Sequence, residues 1–187
     1  MAKVVIRFVS SKFKIEEGTL TLFSLGPELI PDLAEIGKAF SPFPLRSGIA
    51  ETQVEKPGQF QGLLTDILLH RTADGTLARI NLCFFNQEIT DRAIRSGEFD
   101  VDLTSYKEVV LRLPGGEDVR NYEVFNIGVL EAGGSTLDVP VGERGETRLL
   151  AKPGRYRVIA GGKLRRTPVK DFDIPNDELE SKIIDLG

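Results

Sequence analysis

The sequence predicts a mainly β fold, an antiparallel β-sandwich with a short helix near 31–40 and a second helix at the C-terminal end. Three observations predict it. Nineteen Gly and ten Pro in 187 residues supply turn chemistry for many short elements. Runs rich in β-branched and aromatic residues alternate with those turns at regular spacing, as in sandwiches and barrels. No glycine-rich loop followed by a long helix interrupts the pattern. The prediction is a single β-rich domain, 1–187, with an internal pseudo-repeat of two similar packed β units, 1–95 and 96–187, as the alternative organisation.

Residues 3–9 and 19–25 read as strands, with Glu16-Glu17-Gly18 as a turn beside the second. In 19–25 both faces carry apolar residues, which predicts cover on both sides. Residues 26–48 are punctuated by Pro27, Pro31, Pro42 and Pro44 and hold the first predicted helix. Pro31 suits its first position, Asp32 suits the positive end of its dipole, and Leu33, Ile36 and Phe40 form one stripe. The clearest element is a hairpin, 60–72 with 76–85, about Ala73-Asp74-Gly75. Residues 87–96 read as a helical turn ending at Gly97 or as further strand.

From residue 98 the chain predicts a meander, with strands near 98–104, 106–113, 119–131, 135–141, 146–151, 155–160 and 164–172. Gly- and Pro-containing turns separate them. Asn176 then reads as the cap of the C-terminal helix, with Leu179, Ile183 and Leu186 along one face.

Lys56-Pro57-Gly58-Gln59-Phe60 recurs 96 residues later as Lys152-Pro153-Gly154-Arg155-Tyr156. Two accounts stand. The chain contains a duplication, or Lys-Pro-Gly before an aromatic is simply a good turn into a strand, since Pro presets one turn angle and Gly accepts a positive one.

Composition narrows the chemistry. Hydrophobic residues at 41% with 28% charged describe a folded protein. One His and one Cys cannot furnish a Cys/His zinc site, which needs three or four such ligands. They also leave nucleophilic catalysis resting on His70. Cys83 in an apolar strand reads as a core residue, and a lone Cys forms no internal disulfide. Glu98, Asp100 and Asp102 share one strand face, where they could bind Ca²⁺ or do acid–base work, or simply form a wet face. No catalytic residue, metal site or cofactor is predicted.

Neither an apolar run of ~7–15 residues for a signal peptide nor one of ~20 for a membrane helix occurs, so the expectation is cytoplasmic and without a membrane. A net charge of −4, without clustered basic and aromatic residues, argues against nucleic acid. The strongest anomaly is local. Residues 152–170 carry seven basic side chains and no acidic one, while 171–187 are dominated by acids.

The functional expectation is therefore a non-enzymatic cytosolic binding protein, an inhibitor or adaptor, that recognises another protein through a basic β surface. The surface residues are Arg155, Arg157, Lys163, Arg165 and Arg166. Against this stands the reading that the acidic tail folds back on them, or that they form a solvated edge. Two further classes remain open. One is a small-molecule binder or hydrolase with an apolar pocket between sheets, suggested by two-sided apolarity in 19–25 and 76–85. The other is a structural homo-oligomer.

Overall fold

Period-two burial runs along most strands of the computed structural model, as one-sided sheets require. It describes residues 2–25, 42–115, 118–130, 136–163, 165–176 and 181–187. The helix expected near 31–40 lies outside these residues. The chain divides into two units, Met1–Thr104 and Ser105–Gly187. No helix among the described residues is long and apolar enough to cross a membrane.

The first unit holds β1 (Ala2–Val9), β2 (Phe13–Ser24), β3 (Phe43–Arg46), β4 (Ile49–Val54), β5 (Gly58–Arg71), β6 (Leu77–Ile89), helix α1 (Asp91–Ser96) and β7 (Glu98–Asp102). Their order across the sheet is β6-β5-β2-β3-β4-β1-β7. All neighbours are antiparallel except β1 and β7. The sheet curls, because Phe8 of β1 meets Phe85 of β6 edge to face at 5.4 Å although four strands separate β1 from β6 in the order. Val4, Val54, Phe60 and Ile89 form a buried cluster under the curl, with Ile94 of α1 and Phe99 packed on it.

Helix α1 resolves the choice left open for 87–96. Ile89 ends β6, Thr90 caps the helix by accepting from the Ala93 amide, and Gly97 closes it at φ 74°. The predicted hairpin is present and longer than expected at its open end. Asp74 holds its turn by accepting from the Thr76 amide and hydroxyl.

The two-sided apolarity of β6 has a different cause from cover on both faces, whereas in 19–25 of β2 the residues of both faces are buried or half-buried. In β5 the buried residues are Phe60, Gly62 and Leu64, then Ile67 and Leu69, so the inward face changes parity across Asp66. Asp66 sits at φ 52°, a left-handed conformation rare for a residue with a side chain. The paired strands follow. In β6, Ala78, Ile80 and Leu82 face inward, then Cys83 and Phe85; in β2, Phe13 and Ile15 give way to Leu20 through two register shifts. A bulge thus turns three strands together.

The second unit holds β8 (Lys107–Arg112), a 3₁₀ turn (Val119–Asn121), β9 (Val124–Val129), β10 (Thr136–Pro140), β11 (Glu146–Ala151), β12 (Gly154–Gly161), β13 (Lys170–Ile174) and β14 (Ser181–Asp185). Its strands lie in two ladders, β14-β8-β11 and β10-β9-β12-β13. The Thr147 hydroxyl of β11 joins them by donating to the Pro140 carbonyl of β10 at 2.7 Å.

Three expectations need correction here. The C-terminal helix is not present over 181–185: β14 is a strand, paired parallel with β8. The β-branched Ile183-Ile184 pair and the buried alternation Ile184, Leu186 satisfied a strand, and the ladder to β8 outweighed the helical stripe. The simple meander fails for the same reason, since the parallel pairs β1/β7 and β8/β14 join strands distant in the chain. The strand expected over 164–172 begins only at Lys170, the preceding residues being held as a connection by Thr167.

Candidate interaction surface

The predicted basic surface divides into two parts with different chemistry. Strand β12 opens at Gly154, after Lys152 and Pro153, and buries Tyr156, Val158 and Ala160. Arg155 and Arg157 therefore point to the other face. Tyr156 is fixed by its hydroxyl, which donates to the Lys152 carbonyl at 2.6 Å, and by stacking on Phe172 at 5.5 Å. The Lys56-Pro57-Gly58 echo has the same local form. Gly58 and Gly154 take φ 158° and 156°, each opens a strand, and each lies opposite the last isoleucine of its partner, Ile89 or Ile174.

Antiparallel pairing with β13 sets Asp173 opposite Arg155 and Asp171 opposite Arg157. Arg157 makes a two-pronged contact, its Nε and Nη2 donating to the Asp171 carboxylate at 2.7 and 2.9 Å. Arg155 reaches Asp173 at 3.4 Å. The hydrogen bond from Arg157, followed by its charge and that of Arg155, holds the Asp171 carboxyl below its ordinary range. The reciprocal contact raises the Arg157 guanidinium. The acidic segment thus folds back on the strand part of the basic segment.

The connection from β12 to β13 is built differently. Its backbone is anchored by hydrogen bonds from Gly162 N to the Arg165 carbonyl and from Thr167 N to the Ala160 carbonyl, both 2.9 Å. The buried Thr167 hydroxyl accepts from the Ala160 amide. Gly162 lies against the 3₁₀ turn so closely that a Cβ there would stand 2.2 Å from the Asn121 oxygen. On this anchored frame Lys163, Arg165 and Arg166 are exposed. Lys163 is 86% exposed and stands 4.0 Å from Glu123.

The other sequence candidates have structural partners. Arg7 of β1 donates to Asp100 at 2.7 Å and to Glu98 at 2.8 Å across the parallel pair. Asp102 accepts from the Thr104 amide, and no metal-binding group of carboxylate, His or Cys side chains occurs among the described residues. His70 Nε2 lies 3.1 Å from the Gly75 carbonyl at the hairpin turn. Cys83 is fully buried, and burial pushes its thiol pKa up, away from nucleophilic chemistry.

One groove was not anticipated from the sequence. A groove of about 760 Å³ follows the outside of the bulge, lined among others by Glu17, Arg46, Ser47, Asp66 and Arg79. Asp66 and Ser47 are the positive-φ residues other than glycine among the described residues. The groove is charged and open to solvent, unlike the apolar pocket between sheets anticipated from two-sided apolarity. The phase break from Phe60 and Leu64 to Ile67 and Leu69 was the available signal.

No protein-family model matches the chain, and no curated protein matches it. Solved structures with similarity include the shaft pilin SpaA of Lactobacillus rhamnosus GG, as a D295N mutant, at 12% identity and TM-score 0.31, covering 99% of this chain and 97% of that one. A streptococcal ancillary pilin is similar at 14% identity and TM-score 0.30, over 98% of this chain and 61% of that one. BcpA, the major pilin subunit of Bacillus cereus, gives 11% and 0.30, over 98% and 69%. Scores this low carry no fold assignment by themselves.

Proposed function

We propose that this chain is a non-enzymatic binding protein that recognises an acidic surface on another protein, as an inhibitor or adaptor does. The recognition element is the β12–β13 connection, with Lys163, Arg165 and Arg166. The carrying observation is the division of the basic segment. β13 aspartates engage Arg155 and Arg157, while the connection presents its cations from an anchored backbone. An anchored loop loses little conformational freedom on docking, which favours affinity. Val169, 57% exposed beside it, adds an apolar contact. A protein partner fits better than nucleic acid because the sequence lacks the clustered basic and aromatic residues of a base-stacking platform. Two sheets in the second unit, each with a buried face, support the sandwich reading of that unit.

Affinity capture from an extract of the source cell tests this. The wild-type chain is compared with Lys163→Glu/Arg165→Glu/Arg166→Glu. Loss of specific captured proteins in the variant supports the reading, and an unchanged set refutes it. The cytosolic placement belongs to the same reading. Cell fractionation checks it.

A second reading is a small-ligand site in the groove beside Asp66. Left-handed Asp66 and Ser47 favour it, because strain of this kind gathers at functional sites. Ligand-dependent chemical-shift changes confined to Arg46, Asp66 and Arg79 would support it.

A further inference from the structure

Two lysines on the second unit make reciprocal contacts that the proposed function does not use. Lys170 of β13 donates through Nζ to the Asp185 carbonyl of β14, and Lys182 of β14 donates to the Asp173 carbonyl of β13. Both strands end their ladders.

The accepting carbonyls belong to the outer edges. Leu130 N donates to the Arg155 carbonyl, so the Arg155 backbone faces β9, and the backbone of Asp173 opposite faces away from β12. Leu186 N donates to the Arg112 carbonyl, so Leu186 and Ile184 turn their backbones toward β8 while Ile183 and Asp185 turn theirs outward. The side chains complete the pattern. Lys170 alternates in phase with Phe172 and buried Ile174, and Lys182 with buried Ile184 and Leu186. Each edge strand thus carries a lysine that reaches the free edge of the other strand. A lysine ammonium seated on an outward carbonyl takes the acceptor that an added strand would need.

We propose that Lys170 is an edge guard: it holds β14 closed, and loss of its charge opens that edge to antiparallel pairing with β14 of a second copy of this chain. The second copy is favoured over other strands by register. Pairing centred on Ile183 sets Ile183, 52% exposed, against its own counterpart, with Lys182 opposite Ile184 and Ser181 opposite Asp185. The β13 edge offers no such match, because pairing centred on Phe172 sets Asp171 against Asp173 of the other copy.

The test is light scattering after size exclusion on the full chain, with circular dichroism to confirm folding. Lys170→Met is expected to double the wild-type particle mass and tighten self-association roughly tenfold or more. Lys170→Arg, which keeps the charge, and Lys182→Met, which opens only β13, are expected to retain the wild-type mass. Adding Ile183→Lys to Lys170→Met is expected to restore it. If Lys170→Met folds and keeps the wild-type mass, or if Lys182→Met doubles it as well, the assignment is overturned. Should Lys170→Met fail to fold, Lys170→Gln replaces it under the same criteria.

Discussion

The ring of Phe85 occupies the space that a side chain at Gly62 would fill: a Cβ there would stand 2.1 Å from the ring. The two residues face each other across β5 and β6, and the same ring meets Phe8 edge to face. Gly62→Ala therefore overfills the core of the first unit. The expected loss is about 1–3 kcal/mol, read by urea unfolding. In a Phe85→Leu background the same change is expected to cost less, and equal costs would show that the ring is not the obstacle.

The bulge at Asp66 holds backbone strain. Asp66→Gly is expected to raise stability by up to about 1 kcal/mol, because glycine adopts a left-handed φ at no steric cost. Asp66→Val is expected to lower it by more than that, since a branched side chain resists this conformation. If both substitutions shift the urea midpoint equally, the strain account fails.

Asp171 reports the cross-strand ion pair. Its folded-state pKa is depressed, chiefly by the hydrogen bond from Arg157. Its contribution to stability is therefore present above the unfolded pKa and lost as pH falls through the folded one, below about pH 4. Carboxyl-carbon NMR titration should place Asp171 below ordinary aspartates, and Arg157→Gln should move it upward. The contact is exposed, so salt is expected to weaken the shift.

Cys83 should be silent in the native protein. A thiol-reactive dye is expected to label it only at the rate of opening and at once in denaturant. Fast native labelling would contradict the burial described for β6.

Much of the β architecture was legible because it depends on local pattern. Asp74-Gly75 named its hairpin, and Gly97 marked the end of α1. What escaped the sequence depends on partners distant in the chain. Ile183-Ile184 is compatible with helix or strand until β8 lies beside it. The apolar residues on both faces of 76–85 look like a strand covered twice, and only the turn at Asp66 shows that one face gives way to the other. In the basic segment the five candidate residues were chosen on charge alone, and their division was not legible. Register with β13 determines it, because Arg155 and Arg157 fall opposite Asp173 and Asp171 while Lys163, Arg165 and Arg166 lie beyond the ladder.

That division is tested most directly by two charge reversals measured side by side for thermal stability and for protein capture. Arg155→Glu/Arg157→Glu is expected to lower the unfolding midpoint by setting like charges opposite each other. Lys163→Glu/Arg165→Glu/Arg166→Glu is expected to abolish capture while the chain stays folded. Capture that survives reversal of Lys163, Arg165 and Arg166 but is lost in a folded Arg155→Glu/Arg157→Glu variant would contradict the account.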